Sequence, residues 1–207
     1  MFRTASAALV LAAFAVAADA QTLRKPKEFY FDQDASARAI TVVDPDSAGL
    51  AEALMRERER GRRQLEATAQ LGHVAMDSGR SELGRSLYEQ ALSSTQASSA
   101  LGRSIRWNYA WDLYRSGDAE AALARFSEVL SPIGGHAWVP PTLALVLWRL
   151  DRRAESVRWY AAAVRTEPTL WDNPANYPQL LPEWSAQDHA LLAEVHAAWR
   201  AAPPAWP

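Results

Sequence analysis

The sequence predicts an all-α chain: a short α-solenoid of about three antiparallel helix pairs, closed by a C-terminal capping helix. Three observations carry this. Turn-forming residues Gly79, Gly117 and Asp151 recur at separations of 38 and 34 residues. Small and aromatic residues recur in matching registers on either side of those turns. Between Leu50 and Val164 no segment alternates apolar and polar residues strictly, which argues against half-buried strands. A fixed spacing of this order is the signature of stacked repeats, in which one helix pair alone cannot bury its apolar face.

With 207 residues, 49% hydrophobic and 22% charged, the chain has the profile of one folded domain. Its formal net charge of −2 argues against a broad electrostatic grip on nucleic acid or anionic lipid. Residues 1–20 read as a signal peptide. Met1-Phe2-Arg3 is a short positive start, Ala7 to Ala17 is uncharged and apolar, and Ala18-Asp19-Ala20 precedes Gln21 as a small-x-small cleavage pattern. The apolar run is too short to span a bilayer comfortably, so no stable membrane insertion is expected after cleavage. No cysteine is present, so neither a lipoprotein anchor nor a disulfide is expected. The expected location is a bacterial periplasm or the cell exterior.

Residues 21–47 form an N-terminal arm, expected to be extended or partly disordered, with apolar patches at Phe29-Tyr30-Phe31 and Ile40-Thr41-Val42-Val43. The second patch fits either a short strand or an extended segment. Residues 48–170 hold the helical repeats. The charged helix Glu52 to Gln64 either runs into the first repeat or forms its own preceding turn. Residues 171–207 form a proline-rich connector, a capping helix and a tail. Ser185 is placed to cap that helix, with Asp188 in its first turn. Leu191, Leu192, Val195 and Trp199 make its apolar stripe, and "PPAWP" cannot continue it.

Within the repeats the registers are Leu71-Gly72-x2-Ala75 with Gly84-x3-Tyr88, Tyr109-Ala110-x2-Leu113 with Ala122-x3-Phe126, and Leu143-Ala144-x2-Leu147 with Ser156-x3-Tyr160. Pro168 follows the third. This pattern resembles the tetratricopeptide repeat over roughly residues 65 to 170, although Thr68, Arg106 and Pro140 stand where its signature Trp belongs. Close helix approach explains the small residues, since a larger side chain there overpacks the pair at about 1–3 kcal/mol. The resemblance implies a concave groove, lined by the first helix of each pair, that binds extended or helical segments of other proteins. Carried over by register, the groove residues are His73, Trp107, Asn108, Trp111, Arg115, Trp138, Trp148 and Arg149, joined by Gln70, Met76, Asp77, Ser104, Thr142 and Leu145. Aromatic rings with Arg and Asn suit recognition; the alternative is that Trp107 and Trp111, four apart, simply contact the neighbouring helix or the connector. Asn108 also fits the carboxylate clamp found in part of the family, but Ala69, His73, Trp138 and Thr142 replace its other members. An apolar or aromatic-mediated partner is expected instead, within an envelope assembly such as a secretion, pilus or polysaccharide-export machine.

Other chemistry is sparse. The run "RERERGRR" alternates in sign and reads as a solvated helix face, not a nucleic-acid site. Four histidines occur without cysteine or clustered carboxylates, so no metal is expected. Gly134-Gly135 serves a loop before His136. Asp44-Pro45-Asp46 reads as a turn, and no nucleophile elbow or phosphate loop is present. Neither catalysis nor a cofactor is expected. The alternative function uses the 9 tryptophans: glycan binding through Trp107, Trp111 and Trp148.

Overall fold

The structure, a computed structural model, describes residues 22–26, 31–32, 34–130 and 135–205. The expected signal peptide, the patch residues Phe29 and Tyr30, Gly134 and Trp206 lie outside the described residues. The fold is all-α and solenoid-like. In order it comprises α1 (Leu50–Arg60), α2 (Gln64–Asp77), α3 (Ser81–Ser93), α4 (Ala100–Arg115), α5 (Ala119–Glu128), α6 (Val139–Arg149) and α7 (Arg153–Thr166). The connector follows as short turns α8 (Pro168–Trp171), a 3-10 turn (Pro174–Asn176) and α9 (Tyr177–Leu180), leading to α10 (Ala186–Ala201).

Three adjacent pairs, α2/α3, α4/α5 and α6/α7, form the stack, with α1 packed on α2 at one end and α10 on α6 and α7 at the other. The charged helix ends at Gly61, so α1 is a separate element. Each pair turns in the same way. Gly79, Gly117 and Asp151 adopt positive φ of 78°, 91° and 56°. The next residue's N–H then donates to the carbonyl five positions back: Arg80 to Ala75, Asp118 to Leu113 and Arg152 to Leu147, at 2.8–2.9 Å. This left-handed closure satisfies carbonyls that a helix end would leave orphaned.

The small registers set the helix spacing. A Cβ on Gly84 would lie 2.2 Å from Met76 Cγ and 2.8 Å from the Gly72 carbonyl oxygen. Ala110, Ala122 and Ala144 are wholly buried, and Ser156 Oγ donates to the Ala144 carbonyl at 2.6 Å. Tyr88, Phe126 and Tyr160, also wholly buried, link each pair to the next element. Tyr88 stacks on Tyr109 with centroids 4.6 Å apart. Phe126 meets Trp138 at 5.9 Å, and Tyr160 meets Trp199 of α10 at 6.1 Å. Leu192 and Val195 bury the stripe of α10. Its start is a capping box: Ser185 accepts from the Asp188 N–H, and Asp188 accepts from the Ser185 N–H.

The arm is not a detached tail. Strand β1 (Phe31–Asp32) pairs in parallel with β2 (Gly135–His136), just before α6. Residues 34–46 then run along the first helices of the pairs toward α1, hydrogen-bonding to residues of α2 and α4.

Candidate functional site

Helices α2 and α4, with Trp138 at the start of α6, line one groove, and the arm lies in it. At the α6 end, the side chain of Asp34 is only 8% exposed and sits among donors. Arg103 Nη2 donates to it at 2.9 Å and the Trp138 indole N–H at 3.2 Å. The Ser36 N–H donates to it at 3.0 Å, and His136 Nε2 stands 3.6 Å away. Burial would raise this carboxyl's pKa, but hydrogen bonds from Ser36, Arg103 and Trp138 outweigh it and hold the group near about 2.

Further along, side-chain amides read the arm's backbone. Asn108 brackets two residues: its Nδ2 donates to the Arg38 carbonyl at 2.8 Å and its Oδ1 accepts the Ile40 N–H at 3.1 Å. Gln70 Oε1 accepts the N–H groups of Val42 and Val43 at 2.7 and 3.1 Å, while its Nε2 donates to the Val43 carbonyl at 2.6 Å. Arg63 adds a bond to the Thr41 carbonyl at 3.3 Å. Amides at these positions satisfy the donors and acceptors of non-helical backbone outside any sheet, because each carries both kinds of group.

A polar cluster lies under the arm. Asp112, 5% exposed, accepts from His73 Nδ1 at 2.9 Å and from the buried Tyr88 hydroxyl at 2.6 Å. Arg115 approaches it at 3.8 Å. The hydrogen bond to Asp112 raises the pKa of His73 against the opposing effect of burial. This cluster ties α2, α3 and α4 together. A cavity of about 410 Å³ remains beside it, bounded by His73, Trp107, Asp112, Arg115, the arm and Glu183.

The eight groove residues carried over by register divide into three groups. Asn108 and Trp138 hold the arm. Trp107 and Trp111 are stacked edge to face, and Trp111 is 5% exposed, because Trp184 of the connector folds back against it with centroids 5.3 Å apart. Trp148 is covered too: Arg153 stacks 3.7 Å from its ring and its indole donates to Glu194. His73, Arg115 and Arg149 remain on the accessible lip, with Arg115 54% exposed over Trp111. Gln70, Met76, Thr142 and Leu145 are buried rather than open. Register missed Arg103 and Asp34, whose pairing spans 69 positions and has no local signature.

Among the described residues no group of three or more His, Asp or Glu is placed to hold a metal ion. No helix there is long and apolar enough to cross a membrane. The chain matches no protein-family model, no curated protein and no solved structure.

Proposed function

We propose that the chain is a non-enzymatic, tetratricopeptide-like adaptor that takes a non-helical segment of a partner protein along the groove of α2 and α4. The observation that supports this reading is the pair of backbone-reading amides, Gln70 and Asn108, on successive first helices. Both already bind non-helical backbone of the arm, and the Asn108 amide is shared with the Ser104 carbonyl of its own helix. The unfilled cavity beside His73 and Arg115 leaves room for partner side chains. Placement in the bacterial envelope rests on the charge and hydropathy pattern of Met1 to Gln21, and an assembly such as a secretion, pilus or polysaccharide-export machine remains the proposed setting. Sugar binding has less behind it, since the faces of Trp111 and Trp148 are occupied by other side chains.

Site-specific photo-crosslinking tests the proposal. A photoreactive residue at Arg115, on the lip, is expected to yield a discrete adduct with another protein in the native cell. One at Leu83, exposed on α3 away from the groove residues, serves as control. Adducts at Leu83 alone, or at neither position, would sink the groove reading.

A further inference from the structure

The arm occupies the groove in the manner of a bound peptide. None of its described residues from Asp34 to Ala48 is fully buried, whereas every first helix of the stack contributes wholly buried side chains. Open space flanks it on both edges: about 610 Å³ toward Arg63, Glu66 and Ser104, and about 410 Å³ toward His73 and Trp107. Its attachment is made of backbone hydrogen bonds to Asn108 and Gln70, the docked carboxylate of Asp34, and the partly buried side chains of Ile40, Val42 and Val43. An element integral to the core is packed without such voids.

We infer that residues 34–43 are an internal ligand, and that the groove's partner is a segment of the same chemistry that displaces them. That segment is non-helical, carries a carboxylate ahead of a turn like that of Asp34 to Ala37 for the Arg103–Trp138 seat, and has branched apolar residues at the spacing of Ile40, Val42 and Val43. The inference rests on the groove reading above and adds what the groove selects. The amides of Asn108 and Gln70 bind only backbone groups of the arm, so they contribute affinity without choosing side chains. Selection falls to the seat. Arg103 and the Trp138 indole are donors and His136 adds a ring nitrogen, so a carboxylate satisfies the seat while an amide or hydroxyl leaves the guanidinium uncompensated. The tethered arm competes at an effective concentration of order millimolar, so an outside segment binds the resting protein more weakly than the bare groove.

The test uses the full chain and a fluorescein-labelled peptide with the sequence of residues 34–46, read by anisotropy. The variant Asp34→Ala/Ile40→Ser, weakened in its own arm, is expected to bind the peptide at least about tenfold tighter than wild type, since less of its groove is self-occupied. Asp34→Asn in the peptide, or Arg103→Ala added to the weakened variant, is expected to lose about tenfold or more. If the weakened variant melts as a folded protein and binds no better than wild type, the internal-ligand inference is wrong. If binding improves but ignores Asp34→Asn, the acidic selection is wrong.

Should that variant fail to fold, hydrogen exchange on wild type decides. The amides of Ile40, Val42 and Val43 should open more readily than those of α4 and α6. Exchange only with global unfolding would overturn the inference. The crosslinking at Arg115 separates the two proposals. An adduct whose yield ignores arm weakening leaves the groove reading intact and removes the internal ligand. Peptide binding without any cellular adduct supports the internal ligand and removes the adaptor.

Discussion

Replacing Asp112 by alanine removes an acceptor that links three helices. Tyr88 is wholly buried and its hydroxyl donates to Asp112 at 2.6 Å. Losing that acceptor strands a buried donor, at about 1–3 kcal/mol. The charged hydrogen bond from His73 is lost as well, but the His73 side chain is 48% exposed, so solvent limits its share to about 1 kcal/mol. Together Asp112→Ala should cost about 2–4 kcal/mol, a fall in Tm of about 4–16 °C at about 2–4 °C per kcal/mol for a chain of this size.

A double-mutant cycle isolates the mechanism. Adding Tyr88→Phe to Asp112→Ala removes the stranded hydroxyl, so the double variant should melt no lower than Asp112→Ala alone. The pH dependence has a definite sign. His73 has a raised pKa when folded, so its contribution is fully present below its ordinary value near 6.5 and is lost as pH rises through the raised one. The gap between wild type and Asp112→Ala should therefore be wider at about pH 6 than at about pH 9. An Asp112→Ala protein that melts with wild type, or costs that simply add in the double variant, would refute the shared-acceptor account.

Gly84→Ala should destabilise by about 1–3 kcal/mol in urea titration, because its Cβ would meet Met76 and the backbone of Gly72. A neutral result would mean that α2 and α3 can separate freely. Asp151→Gly should raise the Tm by about 1–3 °C, since it relieves a left-handed backbone (φ 56°) and sacrifices only an exposed pair with Arg153. Asp34, lowered from 3.8 to about 2, contributes stability that is present above pH 3.8 and lost as pH falls toward 2. That contribution is at most about 2 kcal/mol. Asp34→Asn should therefore lose less stability than wild type across that window, and equal losses in acid unfolding would argue against the Arg103–Trp138 seat.

The parts of this molecule that were legible in the sequence are those governed by local geometry. Left-handed turn residues at Gly79, Gly117 and Asp151 and small contacts at Gly72, Ala110 and Ala144 each leave a residue type at a fixed spacing. The cap at Ser185 did the same. Register also picks out Gln70, Asn108 and Trp138 as groove residues, but not what they hold. Asp34, Arg103 and His136 meet them only after the stack has formed. Helical register places Trp111 on the groove face but does not decide between an open ring and one covered by the connector; Trp184 covers it.

A stack of helix pairs is ordinarily joined by nearest-neighbour contacts alone, so its ends can melt while its middle persists. Here the arm touches Gln70 of the first pair, Asn108 and Arg103 of the second, and Trp138 at the start of the third. One irregular stretch of chain thus couples units that would otherwise fray independently, making unfolding more nearly all-or-none. Exchange of that stretch for another would momentarily uncouple the pairs, and the incoming segment would restore the cooperativity it had displaced.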